Sequence, residues 1–453
     1  MHRMSDGPGA GPRNEGLASV EMRIRSPDSA NWNNRNETVA TFSASRLSSL
    51  ISRRLPRWLA AAITAVTLSA PAAHAAEALL LIEADTGKVL QAENATYPWY
   101  PASLTKLMTA YVTLQAVKEK RVSLDTLLKV SPNAVAQQPS KMGFTAGTQV
   151  TVDNALKMMM VKSANDMAVV LAEGVGGSID GFSEQMNRTA QRLGMTQSHF
   201  VNPNGLPADG QVTSARDMAI LSRAIIRDLP EYEYFVHIQA IKFGRRVMQN
   251  FNKLIGRYPG ADGMKTGFIC ASGFNLVASA TRGNKRLIAV VMGAPSSHLR
   301  AVKAAQLLDN GFSGGDLTWL KPALGTVDNL APIEAAPPNL RDEVCGPKRK
   351  RPAAENEDEV AGGENGGFKL FAAGFQPPGS LKPAELLALP AAPAEPVIVY
   401  TGPARSGAAL IAAAEEEAQR QDAAAQARKA RIAAARHKKR AAKGHADKPH
   451  ASD

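Results

Sequence analysis

The 453-residue chain predicts an α+β domain whose antiparallel sheet joins its N- and C-terminal segments, with a helical subdomain between them and a disordered tail behind. Three observations carry this. Strand-like apolar runs flank short turns near residues 78–90 and again near 274–292. Between them, over residues 152–230, apolar residues recur at helical spacing. Beyond residue 316 periodicity gives way to Pro, Ala, Glu and Gly.

Taken in order, residues 1–50 are polar, lack periodicity and remain unassigned. Residues 51–75 read as a secretory signal: Arg53, Arg54 and Arg57 precede an uncharged run from Trp58 to Ala70, and Ala73-His74-Ala75 has the form of a cleavage site. The run is too short for a membrane span, which needs about 20 apolar residues. Residues 76–315 form the predicted domain. Ala78-Leu79-Leu80-Leu81-Ile82 and Val89-Leu90 make a hairpin about Asp85-Thr86-Gly87-Lys88. A helix is expected from Ser103 to Val112, with Leu104, Leu107, Met108 and Tyr111 on one face. Further helices are expected over 155–173, 179–193 and 214–227, with Pro203-Asn204-Gly205-Leu206-Pro207 as a loop. A second hairpin over 274–280 and 286–292 and a closing helix over 298–308 complete the domain. Residues 316–453 are expected to be mostly disordered, with a helix-prone basic end.

Composition excludes several classes. The net charge of +12 is spread as about +4, +6 and +2 over residues 1–75, 76–320 and 321–453, so no single basic surface is implied. Two cysteines allow one disulfide and no Cys-rich metal site, and none of His199, His237 and His298, the histidines of the region that reads as folded, has a second His or a Cys at ligand spacing. Neither metal nor cofactor is expected. The Lys/Arg-rich end suits anionic envelope surfaces, and export argues against nucleic acid.

Three short motifs occur in order: Ser103-Leu104-Thr105-Lys106, Ser163-Ala164-Asn165 and Lys265-Thr266-Gly267. Singly each has a bland reading, with Ser103 an N-cap, Lys106 a solvated first-turn lysine, and the others loop and turn residues. Together they suit an activated serine. A hydroxyl is a weak nucleophile without a base in hydrogen-bond reach, and residues three apart share a helix face, so Lys106 can reach Ser103. Lys265 would supply a second cation that favours the neutral form of Lys106. The start of the helix offers N–H groups to a developing oxyanion. Gly267 would leave the third-motif strand free of bulk, so that a substrate backbone can approach.

In these motifs, and in Tyr100-Pro-Ala-Ser-Leu-Thr-Lys106, His199-Phe-Val-Asn-Pro-Asn-Gly-Leu-Pro207, Ser214-Ala-Arg-Asp-Met218 and Gly273-Phe-Asn-Leu-Val-Ala-Ser-Ala280, the sequence resembles the serine-type D-alanyl-D-alanine carboxypeptidases among the low-molecular-mass penicillin-binding proteins. The resemblance covers residues 78–312. It implies a β-lactamase/transpeptidase-like domain that removes the terminal D-alanine of peptidoglycan stem pentapeptides in the periplasm, at the inner membrane or cell wall, and is acylated by β-lactams. It further implies Ser103 as nucleophile, Lys106 as base, Ser163 as proton relay with Lys265, and Asn165 on the substrate amide. Thr266 and Arg300 would hold the terminal carboxylate, and the N–H groups of Ser103 and Phe268 would form the oxyanion hole. Phe268-Ile269-Cys270 departs from the polar stretch of many relatives, and the usual β-rich C-terminal domain is not recognisable. An oxidising periplasm would let Cys270 pair with Cys345 and pin the start of the tail near the site. Rival readings are a serine β-lactamase, against which the lack of a glutamate in 199–207 argues, an endopeptidase cutting D-Ala–diaminopimelate cross-links, and a non-catalytic wall-binding protein.

Overall fold

The sheet that carries the third motif begins with the first described residues. A computed structural model describes residues 77–314, 324–347 and 381–446; the expected polar start and secretory signal lie outside them. Strands β1 (Ala78–Glu83) and β2 (Val89–Glu93) form the first hairpin. A 3-10 turn (Ala102–Leu104) runs into α1 (Thr105–Lys118). The helical subdomain follows: β3 (Leu127–Lys129), α2 (Pro132–Ala136), β4 (Gln149–Thr151), α3 (Val152–Lys162), α4 (Asn165–Gly176), α5 (Ile179–Leu193) and α6 (Ala215–Asp228). After α7 (Tyr234–His237) and the small hairpin β5 (Ala240–Phe243) and β6 (Arg246–Gln249) come β7 (Ala261–Ile269), β8 (Gly273–Arg282), β9 (Lys285–Ala294) and α8 (Ser297–Ser313).

The main sheet has the order β2-β1-β9-β8-β7, each pair antiparallel, with Ala78 opposite Met292 and Glu83 opposite Leu287. N- and C-terminal segments of the domain thus share one sheet. Leu287 to Met292 are all fully buried, so both faces of β9 are covered, as continuous apolar strands require. In the subdomain, residues 166–172 of α4 are buried on every side, as expected of a helix enclosed by others.

Three expectations need correction. The helix expected over 155–173 is two helices, because Ser163 takes a left-handed conformation (φ +58°) and Ala164 is extended. The apolar periodicity runs through this break and conceals it. Lys265-Thr266-Gly267, whose bland reading is a turn, lies within β7, the sheet's edge.

The tail is the third. Short ordered segments occur where disorder is expected, α9 (Arg341–Cys345), α10 (Pro383–Ala388) and β10 (Val397–Ile398), while the 40-residue α11 (Gly407–Ala446) falls on the end expected to be helix-prone. Residues 325–327 lie along the far edge of the sheet, where Val89 N donates to Gly325 O and Val327 N to Gly87 O. An open strand edge is thereby covered. Buried Arg216 ties this segment down by donating to Val327 O (3.2 Å) and Asp328 O (3.0 Å). Farther along, β10 pairs parallel with β5, and Leu386, Leu387, Val399 and Tyr400 are buried. A few apolar residues dock each segment individually, and composition averaged over 130 residues hides them.

Candidate active site

Ser103 sits half-buried in the 3-10 turn, one residue after Ala102, whose φ of +47° is sterically costly for a residue with a Cβ. Neighbours fix the turn. Asn275 on β8 donates its amide to Tyr100 O (3.0 Å) and Pro101 O (3.4 Å), and Gly205 packs so close that a Cβ there would lie 1.8 Å from Ala102 O. On the other side Gly267 of β7 approaches the turn. A Cβ on it would come within 3.0 Å of Leu104 N, Pro101 O and Ser103 N. Gly267 is therefore kept small by the nucleophile's own backbone.

Lys106, one turn on and fully buried, directs Nζ at three oxygens: Ser103 Oγ (2.8 Å), Asn165 Oδ1 (2.7 Å) and the backbone carbonyl of Asn204 (2.7 Å). The first motif is thus bonded to the second. Asn165 opens α4 and donates Nδ2 to Gln138 O and its N–H to Ser140 O. Next to it the Asp166 carboxylate accepts the N–H groups of Met142, Gly143 and Met167. Burial pushes this carboxyl above its ordinary range, and the three N–H groups pull it part of the way back. Together Asn165 and Asp166 hold residues 138–143 as one wall of a cleft.

The second motif is bonded in turn to the third. Lys265 Nζ lies 3.1 Å from Ser163 Oγ and donates to Thr266 O at 2.9 Å, with all three side chains buried. The left-handed kink at Ser163 is what turns its hydroxyl from the helix toward β7.

Ser103, Ser163, Asn165 and Phe268 line one cleft of about 280 Å³, with Lys106 and Lys265 bonded to its serines from within the core. Thr266 and Gly267 are adjacent in β7 but outside the lining. Arg300 is bonded to the third-motif strand. It is 2% exposed and lies behind β7, its guanidinium on Gly267 O (3.4 Å), Asn275 O (3.3 Å) and Phe251 O (3.4 Å) and 5.6 Å from the Phe274 ring centre.

Several residues here carry no expected role from sequence. Asn204 contributes a backbone carbonyl, for which no side-chain signal exists. Asn275 follows a Gly-Phe pair in a strand, where a polar residue facing inward is a detectable anomaly. Arg341 also lines the cleft, and long sequence separation hides it. Cys270 and Cys345 form a disulfide, with Cα atoms 5.6 Å apart, that holds α9 beside the β7–β8 turn. Among the described residues no group of three or more His, Cys, Asp or Glu side chains converges.

Comparison with known proteins agrees with this arrangement. A family model described as D-alanyl-D-alanine carboxypeptidase matches residues 64–296. The chain is 40% identical over 277 residues to D-alanyl-D-alanine carboxypeptidase DacC of Escherichia coli K12, covering 57% of this chain and 69% of that one. It is 36% identical over 247 residues to DacF of Bacillus subtilis, covering 53% and 63%. Among solved structures, penicillin binding protein 5 from Haemophilus influenzae superposes with a TM-score of 0.51 at 38% identity, over 54% of this chain and 73% of that one. The chain spans about two thirds of the length of such relatives. With half the chain matched by one family model, and a serine bonded to a lysine within the matched residues, the chain belongs to the serine-type D-alanyl-D-alanine carboxypeptidases.

Proposed function

We propose that Ser103 hydrolyses the terminal D-alanyl-D-alanine bond of peptidoglycan stem pentapeptides through an acyl-enzyme. The observation that carries this reading is the 2.8 Å contact between Lys106 Nζ and Ser103 Oγ at the wall of the cleft. In the reactive state Lys106 is neutral and takes the Ser103 proton as Oγ bonds to the carbonyl carbon. The negative charge that forms on the carbonyl oxygen is met by the N–H groups of Ser103 and Phe268. As the C–N bond breaks, the proton taken by Lys106 passes through Ser163, whose hydroxyl is oriented by Lys265, to the D-alanine nitrogen, and Lys106 is neutral again. Water then attacks the ester, and Ser103 regains its proton as the shortened peptide leaves.

Asn165 is engaged at both ends of its amide. Its Oδ1 holds Lys106 in place, and its Nδ2 exchanges Gln138 O for a substrate carbonyl. Thr266 and the charge of Lys265 lie on the side of the terminal carboxylate. Arg300 acts through the strand it supports, adding positive charge without direct contact.

A β-lactam acylates the same serine. Among the described residues that line the cleft none is Asp or Glu, so no carboxylate is available to activate deacylating water, and this favours a peptidase over a β-lactamase. Export to the periplasm fits both the substrate and the disulfide. The exposed basic residues of α11, Arg428, Lys429, Arg431 and Arg436, suit contact with anionic envelope polymers.

The test is release of D-alanine from a purified muropeptide pentapeptide by the wild type and by Ser103→Ala. Wild-type turnover and its loss in the variant are expected. Turnover of nitrocefin without accumulation of acyl-enzyme would point to a β-lactamase, and cleavage of dimeric muropeptides alone would point to an endopeptidase.

A further inference from the structure

Arg341 is an unused cation at the cleft. Among the described residues that line the cavity it alone carries a charge. It is exposed, and among the described residues its guanidinium has neither a hydrogen bond nor an ion pair. Asp342 and Glu343, on the same short helix, make no ion pair with it.

Its position is nonetheless built. Leu340 N donates to Ala271 O at 3.0 Å, and the Cys270–Cys345 disulfide closes the other end of the segment onto the β7–β8 turn. Leu340, Val344 and Cys345 are buried beneath it. Of the three polar side chains between these anchors, Arg341, Asp342 and Glu343, Arg341 alone lines the cleft.

The direction of a bound peptide decides what Arg341 meets. The β7 edge is open. The terminal carboxylate is assigned to Lys265 and Thr266 and the scissile carbonyl to Ser103 and Phe268. The remainder of the peptide then continues past Ile269 and Cys270, toward the turn on which Arg341 is mounted. A guanidinium without a protein partner at that place matches a carboxylate in geometry and charge.

We propose that Arg341, fixed by the Cys270–Cys345 disulfide, selects stem peptides carrying a free carboxylate on the acyl side of the scissile bond. The proposal rests on the carboxypeptidase reading and adds a specificity residue to it. The carboxylate belongs either to the third residue, when that is a diamino diacid, or to the glutamate joined to it through its side chain.

Three synthetic pentapeptides distinguish these sources: one with both carboxylates free, one amidated at the third residue and one amidated at the glutamate. kcat/KM for D-alanine release is measured for the wild type, Arg341→Ala, Arg341→Glu and Cys345→Ser under non-reducing conditions. Wild-type enzyme should prefer the free diacid over one of the amides roughly five- to tenfold, the scale of a charge-assisted contact in a wet cleft. The preference should fall to near unity in Arg341→Ala and invert in Arg341→Glu. Cys345→Ser should lose most of it. Penicillin labelling of each preparation confirms that the site is folded. An Arg341→Ala enzyme that keeps the wild-type preference, or a wild type indifferent to both amidations, overturns the proposal. Full preference in Cys345→Ser overturns the role of the disulfide. Absence of D-alanine release from all three peptides by penicillin-reactive wild type refutes the carboxypeptidase reading itself.

Discussion

Replacing Gly267 with alanine tests how closely the third-motif strand and the nucleophile turn are matched. The added Cβ meets Leu104 N, Pro101 O and Ser103 N, each at 3.0 Å, and one side must yield by a few tenths of an ångström. All three neighbours are backbone, so no flexible side chain absorbs the shift. Gly267 has ordinary extended backbone, and alanine in a strand gains about 0.5–1 kcal/mol over glycine. Overpacking costs about 1–3 kcal/mol. Net stability should therefore fall by no more than about 2.5 kcal/mol. Activity should fall further, because Ser103 N–H and the N–H of Phe268, the next residue, are the proposed oxyanion donors. Complete loss of one such donor costs about 10²–10³ in rate, and partial displacement should cost about 10–100-fold. Stopped-flow acylation by a fluorescent penicillin, paired with urea denaturation, measures both. Acylation within twofold of wild type would refute the reasoning that Gly267 sets the nucleophile's position.

Arg216→Ala should destabilise the protein by about 3–5 kcal/mol, because Asp217 remains buried without its 2.7 Å partner. Burial already holds the Asp217 carboxyl above its usual range against the pull of Ser198, Gln197 and Arg216. A raised carboxyl binds its proton more tightly in the folded state, so the loss should be larger at pH 8 than at pH 5 by urea denaturation. Hydrogen exchange at residues 325–329 should rise with it, and a loss under about 1 kcal/mol would contradict the account. Tyr111 gives a second pH signature. Its hydroxyl is pushed up to about 12 by burial and then by its bond to Asp228. Its contribution is full below the ordinary value of 10.0 and is lost as pH rises toward about 12, up to about 2–3 kcal/mol. Wild type should thus lose more stability than Tyr111→Phe between pH 9 and 11, and parallel losses would contradict this.

Strands β1, β2, β8 and β9 were readable from sequence because hairpin turns and apolar runs are local signals, whereas β7 was given no range; α5 coincides with its periodic segment at both ends. Ser103 and Lys106 are three residues apart and fall within one turn's reach, so their contact was also local. What could not be read depends on contacts between distant segments. The break at Ser163 is imposed by β7, 102 residues away, against a continuous apolar pattern. The place of Arg300 depends on which side of β7 its helix packs. Gly267 was noticed, but its close fit against the 3-10 turn was not. The docked tail segments escaped notice because two or three apolar residues suffice when a sheet edge or a disulfide supplies the remainder.

The central claim is that Ser103, with Lys106 at 2.8 Å, forms the acyl-enzyme. Mass spectrometry of the intact protein after brief exposure to penicillin tests it most directly. The account predicts one covalent adduct, mapped to the peptide containing Ser103, and none in Ser103→Ala. An adduct on another residue, or one that persists in Ser103→Ala, would contradict it.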